Sequence, residues 1–148
     1  MPLSLEFKNV LNDLLSEQGL PKSDFPKEIG ITYNSFSNAV NYGIIPKPKV
    51  LMRIADYFNV SIEYLLAKTN DEYFAKAKSV SGFNERIESL RASKNLTYYQ
   101  MSQILHLDES YFSKWKSNQY LPSLDFLFLI ADFFNVSIDY LLGRTDDK

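Results

Sequence analysis

The chain contains no cysteine, which excludes a disulfide framework, a thiol nucleophile and cysteine-ligated zinc. It has one histidine, so no His cluster can hold a metal, and His106 has no neighbouring acid or nucleophile to make it a catalytic base. Glycine is scarce, with 5 in 148 residues, and none stands in a phosphate-cradling loop. No apolar run approaches the roughly 20 residues of a membrane-spanning helix. The first residues, MPLSLEFKNV, lack the basic segment and apolar run of a secretory signal. A cationic surplus is missing too, since 16 Lys and Arg face 18 Asp and Glu for a net charge of −2. These absences point to a cytoplasmic protein with no cofactor, no metal, no membrane partner, no evident small-molecule ligand and no catalytic machinery. Any hold on a polyanion has to come from a local patch.

What is present is a large apolar content and a repeat. Hydrophobic residues make up 45% and aromatics 15%, ample for a packed core. Residues 54–71, IADYFNVSIEYLLAKTND, match residues 130–147, IADFFNVSIDYLLGRTDD, at 13 of 18 positions with an offset of 76. The same offset pairs Phe7 with Phe83, Leu14 with Leu90, Leu20 with Leu96, Phe36 with Phe112 and Pro46 with Pro122. This period is too long for a solenoid, so the chain reads as two tandem domains. Their expected limits are 1–69 and 82–148, with a linker over 70–81. In that linker, Asp71 and Glu72 precede Lys76 and Lys78 at helical spacing, so it is expected to extend the preceding helix or form a short one. Divided at residue 72, the first half carries 7 cations and 9 acids and the second 9 and 9.

Residues 96–123, LTYYQMSQILHLDESYFSKWKSNQYLPS, have the plan of two short helices joined by a tight turn. Thr97 can cap the first, with Met101, Ile104 and Leu105 on one face. His106 breaks the pattern and Asp108 caps the second helix, whose Phe112 and Trp115 point into a core. Ser123 opens the next helix. In the first repeat Phe7, Val10, Leu11, Leu14 and Leu15 form a helical stripe that ends at Gly19. Pro26 falls inside the expected second helix, which must begin at Phe25 or Pro26 or be shortened. Thr32 caps a third helix whose outer face, Tyr33, Asn34, Ser37, Asn38 and Asn41, has no charge. Ser61 caps a fifth.

These features resemble the lambda repressor-like, XRE/Cro family of helix-turn-helix DNA-binding domains. The likeness extends back to Phe83 and Ile87 and forward through Leu142. The chain departs from the family pattern with Tyr98 for the usual helix-opening glutamine and His106 for the usual turn glycine. The resemblance implies an all-α fold of two tandem five-helix domains. It also implies that the third helix of each domain enters the major groove. Carried over by position, Glu109, Ser110 and Lys114 are base readers, with Ser113 beside them. Tyr98, Lys116 and Asn118 face phosphates, and Thr97 belongs to the same DNA-binding set. In the first repeat, Tyr33, Asn34, Ser37 and Asn38 take the base-facing positions, and Lys47 and Lys49 could hold the backbone. Lysine can donate to guanine, glutamate accept from cytosine, and asparagine pair with adenine. The plainer alternative for all of them is a solvated helix face, and for the first repeat a degenerate copy kept for packing.

The fourth helix of the second repeat carries an extra apolar stripe. Leu127, Ile130, Ala131 and Phe134 match the family's core, while Phe126, Leu129 and Phe133 lie beside it at positions usually polar. A helix apolar on most sides is covered on more than one, which makes this stripe a candidate interface for a second copy or for the other repeat. Asp125 and Asp132 form its wet strip, and Asp146 and Asp147 read as a solvated tail. The expected function is a sequence-specific double-stranded DNA-binding transcriptional regulator, read as a repressor and a homodimer. The alternative is a protein-interaction module, antitoxin-like or anti-repressor-like, that keeps the fold.

Overall fold

The computed structural model describes residues 3–118 and 120–148. It divides into two compact units, one ending at Phe74 and the other beginning at Ala75. Among the described residues every regular element is helical, apart from an isolated antiparallel bridge between Leu3 and Ile44.

The first unit holds α1 (Leu5–Glu17), a short 3-10 turn (Lys22–Asp24), α2 (Phe25–Ile29), α3 (Tyr33–Tyr42), α4 (Pro48–Phe58) and α5 (Ile62–Leu65). Pro26 occupies the first turn of α2, where its missing N–H breaks no bond, and the 3-10 turn replaces the helix upstream of it. Side-chain caps start three of the helices: Ser4 accepts from Phe7 N–H, Thr32 from Ser35 N–H and Ser61 from Tyr64 N–H. Phe25 lies at the centre, fully buried among Phe36, Tyr57 and Phe58 with ring centroids 6.0–6.4 Å away. Leu20 is exposed rather than part of the core.

The second unit holds α6 (Phe83–Ser93), α7 (Tyr98–Leu105), α8 (Ser110–Asn118), α9 (Leu124–Phe134) and α10 (Ile138–Leu141). Its aromatic centre is Trp115, edge-on to Phe83 at 6.0 Å and to Phe112 at 5.3 Å. Left-handed backbone recurs at the offset of 76, in the pairs Gly19 and Asn95, Gly30 and His106, Asn59 and Asn135, and Ala67 and Gly143. Each marks a sharp chain reversal. Histidine and asparagine enter this region with less strain than bulky or β-branched residues.

Three expectations are corrected here. Ile104 is 50% exposed, while Met101, Ser102 and Leu105 are buried. At about 100° per residue, Met101, Leu105 and Ser102 fall within an arc of about 100°, and Ile104 lies about 110° from its centre. The segment 70–81 contains no helix. Its backbone bonds are taken elsewhere: Asp71 accepts from Tyr73 N–H, Ala77 N–H donates to the Arg144 carbonyl, and the Thr145 hydroxyl donates to the Ala75 carbonyl. Glu72 accepts from the Tyr64 hydroxyl instead of pairing along a helix.

The third correction concerns Asp146, which is no solvated tail. It accepts from the Lys78 and Ser79 N–H groups and the Ser79 hydroxyl, and pairs with Arg86 at 3.1 Å. The Ser79 hydroxyl, first, and the Lys78 N–H hold its carboxyl down at about 2. Arg86 is buried, and its guanidinium also donates to Ser81, Ser79 and the Tyr140 and Thr145 carbonyls while stacking over the Tyr140 ring. A buried charge is tolerated only when satisfied in this way. The stretch 75–79 is thereby strapped to the C-terminal segment of its own unit.

Candidate nucleic-acid interface

The helix pair α7–α8 is set by its ends. Thr97 Oγ1 accepts from Gln100 N–H at 3.0 Å, and Gln100 Oε1 accepts from Thr97 N–H at 2.9 Å. This reciprocal capping box starts α7. His106, with φ of 56°, stops it, and the N–H of Leu107 bonds back to the Ser102 carbonyl. Asp108 then accepts from Ser110 N–H at 2.9 Å at the head of α8, and that bond holds its carboxyl below the usual range.

Phe112 and Trp115 are buried on one side of α8. Glu109, Ser110, Ser113, Lys114 and Lys116 are all exposed. The Lys114 ammonium lies 5.8 Å from the centre of the Tyr111 ring, which itself stacks on Trp115. The structure thus brings Glu109, Ser110, Ser113 and Lys114 onto one polar surface. Asn118 ends α8, and its side chain lies outside the described residues, as does Gln119.

Tyr98, expected to face phosphate, is half-buried and engaged within its own unit. Its hydroxyl donates to Glu88, its ring packs 5.3 Å from Phe112, and the Arg91 guanidinium covers the ring's other neighbourhood at 5.0 Å. Arg91 also pairs with both Glu88 oxygens. Hydrogen bonds from Arg91 first, and then from Tyr98, bring the Glu88 carboxyl down to about 2. Burial first, and then the Glu88 bond, push the Tyr98 hydroxyl up to about 12. The cluster ties α6 to α7. At the corresponding positions of the first unit, Lys22 donates to Asn12 at 2.7 Å, a tie of different chemistry in the same place.

In the first unit, Phe36, Ala39 and Val40 bury one side of α3, leaving Tyr33, Asn34 and Asn38 exposed. Ser37 is half-buried and accepts from the Asn41 amide at 3.0 Å. Lys47 stands at the N-cap position of α4 without a side-chain capping bond and Lys49 lies in its first turn, both exposed. Arg53, farther along α4, donates to the Gly30 carbonyl in the α2–α3 turn.

The extra stripe of α9 is partly covered within its own unit. Phe126 packs 5.3 Å from Tyr111 and 6.2 Å from Trp115, and Phe133 meets Phe134 at 4.9 Å with the Lys94 ammonium above it. Leu129 remains 39% exposed. Helix geometry explains the ranking: Phe126, Phe133 and Leu129 lie about 90°, 110° and 150° from the centre of the buried face.

Arg86 and Glu88 are structural residues of this region that local sequence patterns do not single out. Arg86 still carries a signal between the repeats, because it falls within the Phe83, Ile87, Leu90 stripe where the first repeat has Val10. The Glu88 cluster has none, since its partners come from two helices.

Among the described residues no three potential metal ligands cluster, and no helix is long and apolar enough to cross a membrane. Comparison with known proteins matches residues 87–141 to the Helix-turn-helix family. Three relatives align with about two-fifths of this chain. The HTH-type transcriptional activator BcrR of Enterococcus faecalis is 42% identical over 61 residues, covering 41% of this chain and 30% of the relative. The uncharacterized HTH-type transcriptional regulator YobD of Bacillus subtilis is 33% identical over 63 residues, covering 43% and 56%. The cryptic phage CTXphi transcriptional repressor RstR of Vibrio cholerae is 35% identical over 66 residues, covering 43% and 59%. The chain therefore spans between 30% and 59% of the length of these relatives. No solved structure matches the chain at significance. With its capped helix pair, left-handed turn and buried Phe112 and Trp115, the segment 87–141 is a helix-turn-helix domain.

Proposed function

We propose that this protein is a sequence-specific double-stranded DNA-binding transcriptional regulator of the cytoplasm, without enzymatic activity, whose α8 reads the major groove. The observation that carries this reading is the surface of α8, where Glu109, Ser110, Ser113 and Lys114 are exposed together over the buried Phe112 and Trp115. Helix-turn-helix proteins place such a face against base edges, and lysine and glutamate there can tell guanine and cytosine apart. The relatives named as an activator and a repressor support regulation in either direction. Repression by occluding a promoter needs only binding, and is the reading taken here.

The first repeat, over 1–69, is read as a second, divergent copy of the same five-helix lambda repressor-like fold. The offset of 76, the shared left-handed positions and the matching helix order support this. Its α3 offers Asn34 and Asn38 with Lys47 and Lys49 alongside, a set suited to adenine and phosphate rather than to guanine. Homodimerisation through α9 rests on the exposed Leu129. Selection of bound sequences from a random DNA pool, followed by titration of the selected duplex, tests the reading. A recovered motif bound far more tightly than scrambled DNA is expected. Recovery of no motif, together with capture of a protein partner through the same α8 face, would replace it with the interaction-module reading.

A further inference from the structure

Behind α8 the second unit holds a half-open cavity of about 240 Å³ between α6, the start of α7 and α8. Its floor is Phe83, Ile87, Phe112 and Trp115, all buried and all apolar. Its solvent side is charged in two halves. Glu85 and Glu88 stand on the α6 wall and Lys116 on the α8 wall. Drug-sized sites run from roughly 300 to 1,000 Å³, so an occupant here is smaller. An apolar floor with an acidic wall and a basic wall is complementary to a compact zwitterion with an apolar body.

We infer that this cavity binds a small amphipathic zwitterion of the apolar or aromatic α-amino acid class. The side chain lies on the Phe83, Phe112 and Trp115 rings, the ammonium faces Glu85, and the carboxylate faces Lys116. Arg91 pairs with both Glu88 oxygens and Tyr98 donates to one of them, so Glu85 is the acid left with open carboxylate positions for the ammonium. The first unit cannot offer the same walls, since Lys8, Asn9, Asn12 and Lys22 stand where Asn84, Glu85, Glu88 and Tyr98 stand here. An occupant would touch the inner side of the helix whose outer side is read above as the DNA reader.

Trp115 is the chain's one tryptophan and forms part of the floor, so its emission reports occupancy without DNA. The full chain is titrated with L-phenylalanine, and separately with phenethylamine and 3-phenylpropionate, which each lack one charge. A saturable change with L-phenylalanine is expected, with each analogue weaker by up to about fivefold, the scale of one exposed ion pair. Lys116→Gln should abolish the preference over phenethylamine, and Glu85→Gln should reduce the preference over 3-phenylpropionate. Lys116 is exposed, and glutamine at 85 can still accept the Gly82 N–H that caps α6, so the fold stays intact. No saturable response to L-phenylalanine, or an equal response to all three compounds, would overturn the inference. Because no DNA is present, this result stands or falls apart from the proposed regulatory function.

Discussion

The Tyr98 hydroxyl donates to the Glu88 carboxylate, and this one bond joins the first residue of α7 to the middle of α6. It makes the second unit sensitive to pH at both extremes. Glu88 has its carboxyl depressed from 4.5 to about 2, so its contribution is complete above the ordinary carboxylate range and is lost as pH falls toward 2. Tyr98 is raised from 10.0 to about 12, so its contribution is complete below pH 10.0 and is lost as pH rises toward 12. Asp146, also depressed to about 2, adds to the acid side. Acid titration followed by Trp115 emission should therefore show stability falling between about pH 4.5 and 2, and Glu88→Gln should flatten that fall. Tyr98→Phe should cost about 1 kcal/mol near neutrality and remove the alkaline dependence. An unchanged acid profile in Glu88→Gln would show that other carboxylates carry the transition.

Gly143 offers a sharper test of packing. Its φ is +78°, and a Cβ there would come 1.9 Å from the Ser81 carbonyl oxygen. Gly19, with φ of +70°, has nothing within 4 Å of the same atom. Left-handed backbone alone costs a non-glycine residue about 1–2 kcal/mol. Ala67, at φ 59° in the equivalent position of the first repeat, shows that alanine can live with that cost. Gly19→Ala should thus lower stability by about 1–2 kcal/mol, and Gly143→Ala by clearly more, because the strap over Ser81 must shift as well. Equal melting temperatures for the two variants would mean the strap yields freely.

Much of this architecture is legible in the residues. The caps at Thr32, Ser61, Thr97 and Ser123, the burial of Phe112 and Trp115 and the arrangement of α8's polar face all follow from helical spacing and local side-chain chemistry. What spacing does not carry is long-range pairing. Asp146 lies 60 residues from Arg86 and 67 from Ser79, so its role as the anchor of the 75–79 strap leaves no local trace. The same holds for Tyr98, which looks like a surface residue until Glu88 is placed beside it. Asp71, Glu72, Lys76 and Lys78 have helical spacing, yet tertiary hydrogen bonds outcompete the weak gain of such pairs.

The Arg86 strap predicts a local effect. Asp146→Asn should leave the fold intact but release the Lys78 and Ser79 amides, read as faster hydrogen exchange at those two positions. Arg86→Met should destabilise the second unit by about 1–3 kcal/mol, because the Tyr140 and Thr145 carbonyls lose their donor. Exchange at Lys78 unchanged in Asp146→Asn would remove Asp146 from its place as the anchor.

The proposed dimer is best tested at Leu129 rather than at its neighbours. Phe126 supports Tyr111 and Trp115, so charging it would disturb α8 itself. Leu129 is the most exposed of the three and its burial is worth about 1.5–3 kcal/mol. Leu129→Glu should convert a dimer to a folded monomer in sedimentation, with Trp115 emission unchanged. A wild-type monomer at high concentration, or a dimer that survives the substitution, would place any interface elsewhere.

The two units should contribute unequally to DNA binding, and two measurements separate them. Alanine at Glu109, Ser110 and Lys114 together removes both charged groups from the α8 reading face, whereas alanine at Tyr33, Asn34 and Asn38 removes only neutral groups. The first triple should weaken binding of the selected duplex more, with Lys114→Ala alone costing about 1–3 kcal/mol and relaxing preference at one base position. Salt then reports on phosphates. Lys114 and Lys116 on α8, with Lys47 and Lys49 at the start of α4, are exposed cations on the elements proposed to meet DNA. If about two to five phosphates are neutralised, the slope of log affinity against log salt is near −0.9 times that number. Lys47→Ala with Lys49→Ala should reduce that slope by about two if the first unit grips the backbone. A slope unmoved by that pair, together with a first-unit triple that leaves affinity intact, would confine DNA contact to the second unit.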